Sequence, residues 1–394
     1  MHVKGFTAAA VEAGIKYRGR LDLGLIYSQV PAVTAGVFTT NKVKAAPVLI
    51  DMERLRGGQV QAVLVNSGNA NACTGEPGME TALACSSLVA QHLGIEEDLV
   101  QIASTGVIGL PMDIAPFEKV MDQLVEGLDE EGFDDVAQAM MTTDTFPKTA
   151  QATVELDGQT VSILGLAKGS GMIMPDMATM LCFVMTDAQI VFPVLNEMVR
   201  SGVDKSFNRI TVDGDTSTND MVLVMANGAA GNPWIDEDNP EAAQAFEEAL
   251  HKVLHELALK IVEDGEGATK VVTVRIDGAR DQDGAMSAAQ TIANSALVKT
   301  AFFGEDANWG RIIAALGRSD CVFDPEKVSI AFDDAVLVEK GQVVGGDAEQ
   351  RASKVLQQKT FTVIVDLHEG MESTEVYTCD FSYDYVKINA DYRS

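Results

Sequence analysis

The dipeptide Asp157-Gly158 constrains the chain more tightly than any other feature of it. It lies between two β-type runs, Thr153-Val154-Glu155-Leu156 and Thr160-Val161-Ser162-Ile163-Leu164. Asp-Gly supplies the two positive φ angles of a type I′ turn, whose twist matches that of the flanking strands, so a tight antiparallel hairpin is predicted. A fold of parallel strands alone is thereby excluded. A second hairpin is predicted around Lys340-Gly341, between Ala335–Val338 and Gln342–Val344, with later strands at Phe361–Leu367 and Glu375–Phe381. The strongest helix starts from Asn239 as N-cap with Pro240 in the first turn. It carries Phe246, Leu250, Leu254, Leu257 and Ile261 on one face and stops at Gly265. Such an amphipathic helix covers a sheet. Strands that pair through tight turns and alternate with helices predict an α/β (α+β) fold of mixed sheets. No repeat, low-complexity tract or Pro-rich linker marks a boundary. The predicted crossing follows the Gly265–Lys270 loop, giving domains 1–270 and 271–394, the second a smaller C-terminal α/β unit.

Composition narrows the partners. With 394 residues, 46% of them hydrophobic, the chain buries a large core and has room for two or three domains. Acidic residues number 58 against 29 basic ones, and a net charge of -29 repels phosphate backbones and anionic lipid. Neither nucleic acid nor membrane is an expected partner. A small anionic substrate is compatible, because a pocket needs only one or two local cations. The five cysteines, Cys73, Cys85, Cys182, Cys321 and Cys379, contain no C-x-x-C pair and read as reduced thiols. The start, Met1 to Phe6, has no apolar h-region, and no run approaches the ~20 apolar residues that span a bilayer. A cytoplasmic location is expected.

Familiar catalytic patterns are missing. His251 and His255 stand four apart on the long helix, but Lys252-Val253-Leu254 between them lacks the glutamate of a zinc-protease helix, so no metal is expected. His2, His92 and His368 are scattered, and no Gly-x-Ser-x-Gly elbow accompanies them. Gly165 to Gly171 fits neither a Walker loop nor a dinucleotide fingerprint, and no organic cofactor is expected.

The segment from Lys168 to Leu181 is different. A glycine-rich stretch, Lys168-Gly169-Ser170-Gly171, leads through Pro175-Asp176-Met177-Ala178 to Thr179 and the apolar strand Met180-Leu181-Cys182-Phe183-Val184-Met185. A threonine between a glycine loop and a buried strand is placed as an N-terminal nucleophile is. If its hydroxyl attacks the Ala178 carbonyl, the peptide bond becomes an ester that water opens, and nucleophile and α-amine base arrive on one residue. An α-amine of pKa ~7.7 to 8.0 accepts and returns a proton near neutral pH, so no histidine is needed. The pattern alone equally permits a plain reading, in which the glycines turn a loop and Thr179 starts a strand.

The whole segment resembles the self-cleavage site of the ornithine acetyltransferase family, also called bifunctional glutamate N-acetyltransferase. Further segments resemble the family in order: Asn66–Gly75, Ser104–Gly109, Met141–Thr145, Asp213–Asp220, Glu266–Lys270, Asn308–Arg311 and Asn389–Ser394. The resemblance implies cleavage between Ala178 and Thr179 into chains 1–178 and 179–394, associated as an α2β2 heterotetramer. It implies an αββα sandwich like, but not identical to, the N-terminal-nucleophile hydrolase fold. Thr179 would take acetyl from N2-acetylornithine and pass it to glutamate by a ping-pong route, and some members also take acetyl-CoA as donor. A self-processed N-terminal-threonine aminopeptidase or amidohydrolase, and a non-enzymatic acidic binding protein, are the rival classes.

Roles follow residue by residue. Thr105 and Gly106 come after the apolar run Leu99–Ala103, where a glycine permits close approach of the backbone to a ligand; the resemblance implies that they form the oxyanion hole. Lys168, at the mouth of the glycine loop, is placed to meet a substrate carboxylate or to tune the α-amine. Glu266 just beyond the long helix is implied to face the ornithine side-chain amine. Thr142, Asn389 and Ser394 are implied to contact substrate as well, with Thr143 and Thr145 open alternatives to Thr142. Asn66, Asn69 and Asn71 read as a structural polar loop.

Overall fold

The computed structural model describes residues 2–174 and 180–391. The chain divides into two compact units: residues 1–208 with 215–261, and residues 209–214 with 262–394.

In the first unit β1 (Phe6–Val11) pairs antiparallel with the long β2 (Leu23–Phe38). Next come α1 (Ala46–Arg54), β3 (Gln59–Asn66), α2 (Gly75–Leu93), β4 (Val100–Ser104), α3 (Ala115–Glu126) and α4 (Phe133–Ala139). The predicted hairpin is formed by β5 (Lys148–Leu156) and β6 (Gln159–Lys168), with Leu156 opposite Gln159 and positive φ at both Asp157 and Gly158. β7 (Leu181–Thr186) and α5 (Phe192–Lys205) follow; β8 (Ile210–Thr211) belongs to the second unit, and β9 (Met221–Ala226) and α6 (Pro240–Glu263) return to the first. Among the described residues the sheet order is β4-β3-β2-β9-β7-β6-β5, with β1 also on β2.

That single hydrogen-bonded sheet makes two layers because β2 serves both halves. Its first part pairs with β1 and β3 and its last part with β9, and the register with β3 shifts between Tyr27 and Ala32. The halves pack face to face: Ile26, Val63 and Val65 share one buried cluster with Leu164, Leu166, Phe183, Met185, Leu223 and Met225. Alternation along the strand sends Ala62 and Leu64 the other way, against Cys85 and Val89 of α2 and Phe117, Met121 and Leu124 of α3. On the far side α6 buries Phe246, Leu250, Leu254, Leu257 and Ile261. A Cβ at Gly165 of β6 would lie 2.7 Å from Leu257 and 2.9 Å from Val253, so the glycine lets α6 approach the sheet. The layering is helix, strand, strand, helix, the αββα arrangement the sequence resemblance implied.

The second unit adds β10 (Val271–Ala279), α7 (Gln282–Ala293), α8 (Ala296–Phe303), α9 (Trp309–Leu316), β11 (Ser329–Phe332), β12 (Ala335–Glu339), β13 (Gln342–Val343), α10 (Ala348–Leu356), β14 (Thr360–Asp366), β15 (Glu372–Cys379) and α11 (Tyr383–Ala390). Its mixed sheet runs β13-β12-β11-β14-β10-β15-β8. Val272, Val274, Ile276, Val363, Val365 and Val376 pack on Ala285, Ala288, Ala289 and Ile292 of α7, the small residues letting helix and sheet close up. The second predicted hairpin is β12–β13, with Glu339 opposite Gln342.

Candidate active site

Two parallel neighbours, β3 and β4, end together, with Asn66 opposite Ser104. Thr105 and Gly106 follow at once. The Thr105 amide donates to the Asn66 carbonyl at 3.0 Å, so the group it retains for other partners is its hydroxyl. Gly106 has φ +134°, and a Cβ there would lie 2.3 Å from the Gly68 carbonyl carbon and 2.6 Å from the Asn69 nitrogen. Only glycine fits. The three asparagines hold this loop pair rather than present themselves to a ligand. Asn66 Nδ2 donates to the Asn69 carbonyl at 3.0 Å, Asn69 Oδ1 accepts from the Asn71 amide at 2.7 Å, and Asn71 Nδ2 donates to the Gly78 carbonyl at 2.8 Å.

Lys168 ends β6 and is 3% exposed. Its ammonium donates to Thr142 Oγ1 at 3.0 Å and Thr105 Oγ1 at 3.4 Å, bringing three predicted site residues together. Its counter-charge is Asp144, 3.9 Å away, which sequence reading did not single out. Asp144 Oδ1 accepts from Lys148 Nζ at 2.7 Å and from the Gly169 amide at 2.7 Å, and Oδ2 accepts from the Thr142 amide at 2.9 Å. Burial alone would raise the Asp144 pKa, but the cations of Lys168 and Lys148 outweigh it and hold the carboxyl far below its usual range. One carboxylate thus fixes both the Met141–Thr145 turn and the start of the glycine loop. Thr143 shares a 2.7 Å hydrogen bond with Ser170 of that loop, and Thr145 is exposed. An open cavity of about 680 Å³ lies beside Thr142, bordered by Glu12, Arg20, Gln138, Met141 and Asp144.

Ala178 and Thr179 lie outside the described residues, as does Ser394. The residue after Thr179 is placed: the Met180 amide donates to Asp220 Oδ1 at 2.9 Å, and its carbonyl accepts from the Met221 amide at 3.1 Å. Leu181 then stands between Lys168 on β6 and Met221 on β9 in one cross-strand row. Asn219, beside Asp220, donates to the carbonyls of Ala70 at 2.7 Å and Ser104 at 2.8 Å, tying this segment to the Thr105 loop. In the second unit Glu266 is 6% exposed and accepts from Asn389 Nδ2 at 2.8 Å, so those two predicted residues also meet.

Burial pushes the Cys182 thiol, on β7, far above its usual pKa, leaving it inert. His251 Nε2 is engaged with the Met198 carbonyl at 3.0 Å where α6 packs on α5. Among the described residues no three His, Cys, Asp or Glu side chains group as metal ligands, and no helix is long and apolar enough to cross a membrane.

Residues 7–394 match the ArgJ family. The arginine biosynthesis bifunctional protein ArgJ of Desulfotalea psychrophila is 58% identical over 394 residues, and that of Geobacter sulfurreducens 56% over 394, each covering 100% of both chains. A crystal structure of the same-named protein from Bacillus halodurans superposes with a TM-score of 0.50 at 42% identity, covering 53% of this chain and 97% of that one.

Proposed function

The chain belongs to the ArgJ family and is an enzyme, and from that premise we propose that it is a glutamate N-acetyltransferase of arginine biosynthesis that works through Thr179 after cutting itself. The observation that carries this reading is the convergence of Thr142 and Thr105 on Lys168, which pairs with Leu181, two residues after Thr179. The Thr179 hydroxyl attacks the Ala178 carbonyl, the resulting ester is hydrolysed, and chains 1–178 and 179–394 remain associated as α2β2. The Bacillus halodurans relative, solved as a chain that covers about half of this one, supports a cut near the middle.

In the mature enzyme the freed α-amine takes the hydroxyl proton while Thr179 Oγ attacks the acetyl carbonyl of N2-acetylornithine. The oxyanion is met by the Thr105 hydroxyl and the Gly106 backbone, and removing one such donor typically costs roughly 10²–10³ in turnover. Lys168 contributes a buried cation toward a substrate carboxylate. Glu266 receives the ornithine ammonium, with Thr142, Asn389 and Ser394 completing the contacts. Ornithine leaves, and the α-amine of glutamate then takes the acetyl group. The relatives are named bifunctional, and acetyl-CoA is the second donor proposed here. The enzyme acts in the cytoplasm, without cofactor.

Denaturing mass spectrometry of purified protein tests the cut and is expected to give two fragments meeting at Ala178–Thr179. Supplying N2-acetylornithine with and without glutamate tests the transfer. Acetate released at an equal rate in both would identify an amidohydrolase and overturn the reading, as would a single intact, active chain.

A further inference from the structure

Lys16-Tyr17-Arg18-Gly19-Arg20 places cations at three of five successive positions in a chain whose acids outnumber its bases 58 to 29. The turn lies between β1 and β2, where nearby carboxylates hold its backbone rather than its charges. Asp22, 2% exposed, accepts from the amides of Ala13 at 2.6 Å, Gly14 at 3.2 Å and Ile15 at 2.7 Å, and Glu12 accepts from the Gly19 amide at 2.5 Å. Exposed arginines elsewhere, such as Arg56, Arg280 and Arg351, each stand 2.5 to 3.3 Å from a carboxylate oxygen. Among the described residues Lys16, Arg18 and Arg20 form no such pair. Instead Lys16 Nζ lies 4.6 Å and the Arg20 guanidinium carbon 5.6 Å from the centre of the Tyr17 ring, which is 42% exposed. The ring orients both cations without neutralising them.

The turn is also built against the site. A Cβ at Gly68 would come within 2.8 Å of Lys16 Cβ, and Gly68 is the residue on which Gly106 closes. On the other side Arg20 Nη2 donates to the Met141 carbonyl at 2.5 Å, one residue before Thr142. Gly19, Arg20 and Leu21 thereby border the open cavity of about 680 Å³ that reaches Thr142 and Asp144.

We propose that this turn is a docking site for the phosphate groups of a coenzyme A thioester, set at the rim of the cavity so that the acyl end lies toward Thr142. This rests on the acyl-transfer reading, with acetyl-CoA as second donor. A carboxylate needs only one or two cations, and those of the amino-acid substrates have the buried Lys168. Three cations without a carboxylate partner suit a group that bears several negative charges, and guanidinium forks match phosphate oxygens two at a time. A polyanion gains nothing from the overall field of a chain of net charge -29, so its affinity depends on such a local cluster. Because the Tyr17 ring already orders two of the long side chains, less rotamer freedom is lost on binding.

The test compares the parent with a Lys16→Gln, Arg18→Gln double variant. Neither side chain holds the turn's backbone, so folding and self-cleavage are expected to persist. Titration calorimetry with coenzyme A, which carries the phosphates but no acyl group, is expected to show binding by the parent and a Kd about tenfold higher or more in the variant. The KM for acetyl-CoA is expected to rise by the same factor, while kcat and KM for N2-acetylornithine stay within about twofold. Exchanging the two cations, Lys16→Arg with Arg18→Lys, is expected to restore coenzyme A binding. No binding by the parent, or an equal Kd in parent and double variant, would overturn the proposal. So would a KM for N2-acetylornithine that rises as much as that for acetyl-CoA, since it would assign the turn to a substrate carboxylate. A parent that binds coenzyme A through the turn yet transfers no acetyl from acetyl-CoA would remove the second donor and leave the phosphate site standing.

Discussion

Asp144→Asn is the perturbation whose outcome the structure specifies best. The Asp144 and Lys148 side chains are fully buried and that of Lys168 is 4% exposed, so one carboxylate balances two desolvated cations. The amide variant removes that balance and turns an N–H donor toward groups that are donors themselves, whichever way it is oriented: Lys148 Nζ and the Gly169 amide on one side, the Thr142 amide on the other. Breaking a buried pair by removing one partner typically costs about 3–5 kcal/mol, which in a unit of this size lowers Tm by roughly 6–20 °C. Differential scanning calorimetry at pH 7 measures it. The pH dependence gives a second check with a defined sign. The folded carboxyl has a depressed pKa, so its contribution is fully present above the unfolded value of ~3.9 and is lost as pH falls from there toward the folded value. The gap in stability between parent and variant is thus expected to close progressively below about pH 4. A variant that melts within 2 °C of the parent at pH 7, or a gap that widens on acidification, would refute the charge-balance argument.

Three further outcomes follow from the site. Thr179→Ala is expected to leave one intact chain by denaturing mass spectrometry and no acetyl transfer, since the same hydroxyl serves both steps. Gly106→Ala would put a methyl group 2.3 Å from the Gly68 carbonyl carbon at a φ unfavourable to side chains, so kcat is expected to fall roughly 10²–10³-fold through a displaced oxyanion donor, read by steady-state kinetics on soluble protein. Glu266→Gln keeps an acceptor for Asn389 but loses the charge, so KM for N2-acetylornithine is expected to rise about tenfold or more, with cleavage unchanged by mass spectrometry.

Where local chemistry fixes local structure, the sequence was informative. Asp157-Gly158 specified the β5–β6 turn because few other residue pairs adopt its two positive φ angles, and the spacing of Phe246 to Ile261 specified the buried face of α6. Thr105, Thr142 and Lys168, singled out by the family resemblance and by little in their local surroundings, do meet in space. Long-range features were silent. The two-layer form of the first unit depends on β2 changing partners along its length, which no periodicity reveals, since its buried positions follow no regular alternation. β8 is only two residues, too short to carry a pattern, and it pairs with β15 through Ile210 opposite Tyr377. Asp144, in the turn before β5, and Lys148, the first residue of that strand, pair with both side chains buried, and no local pattern marks them out.

The same buried charges resolve a tension in the composition. A chain of net charge -29 repels anions at a distance, yet the proposed substrates carry carboxylates. Screening confines the repulsion of exposed charges to about 8–10 Å at physiological salt, so what a bound substrate meets is the local count. Around Lys168 that count is two cations, its own and that of Lys148, against the single carboxylate of Asp144. Burial is what keeps this surplus of one positive charge effective, because a desolvated cation acts through a lower effective dielectric than one on the surface.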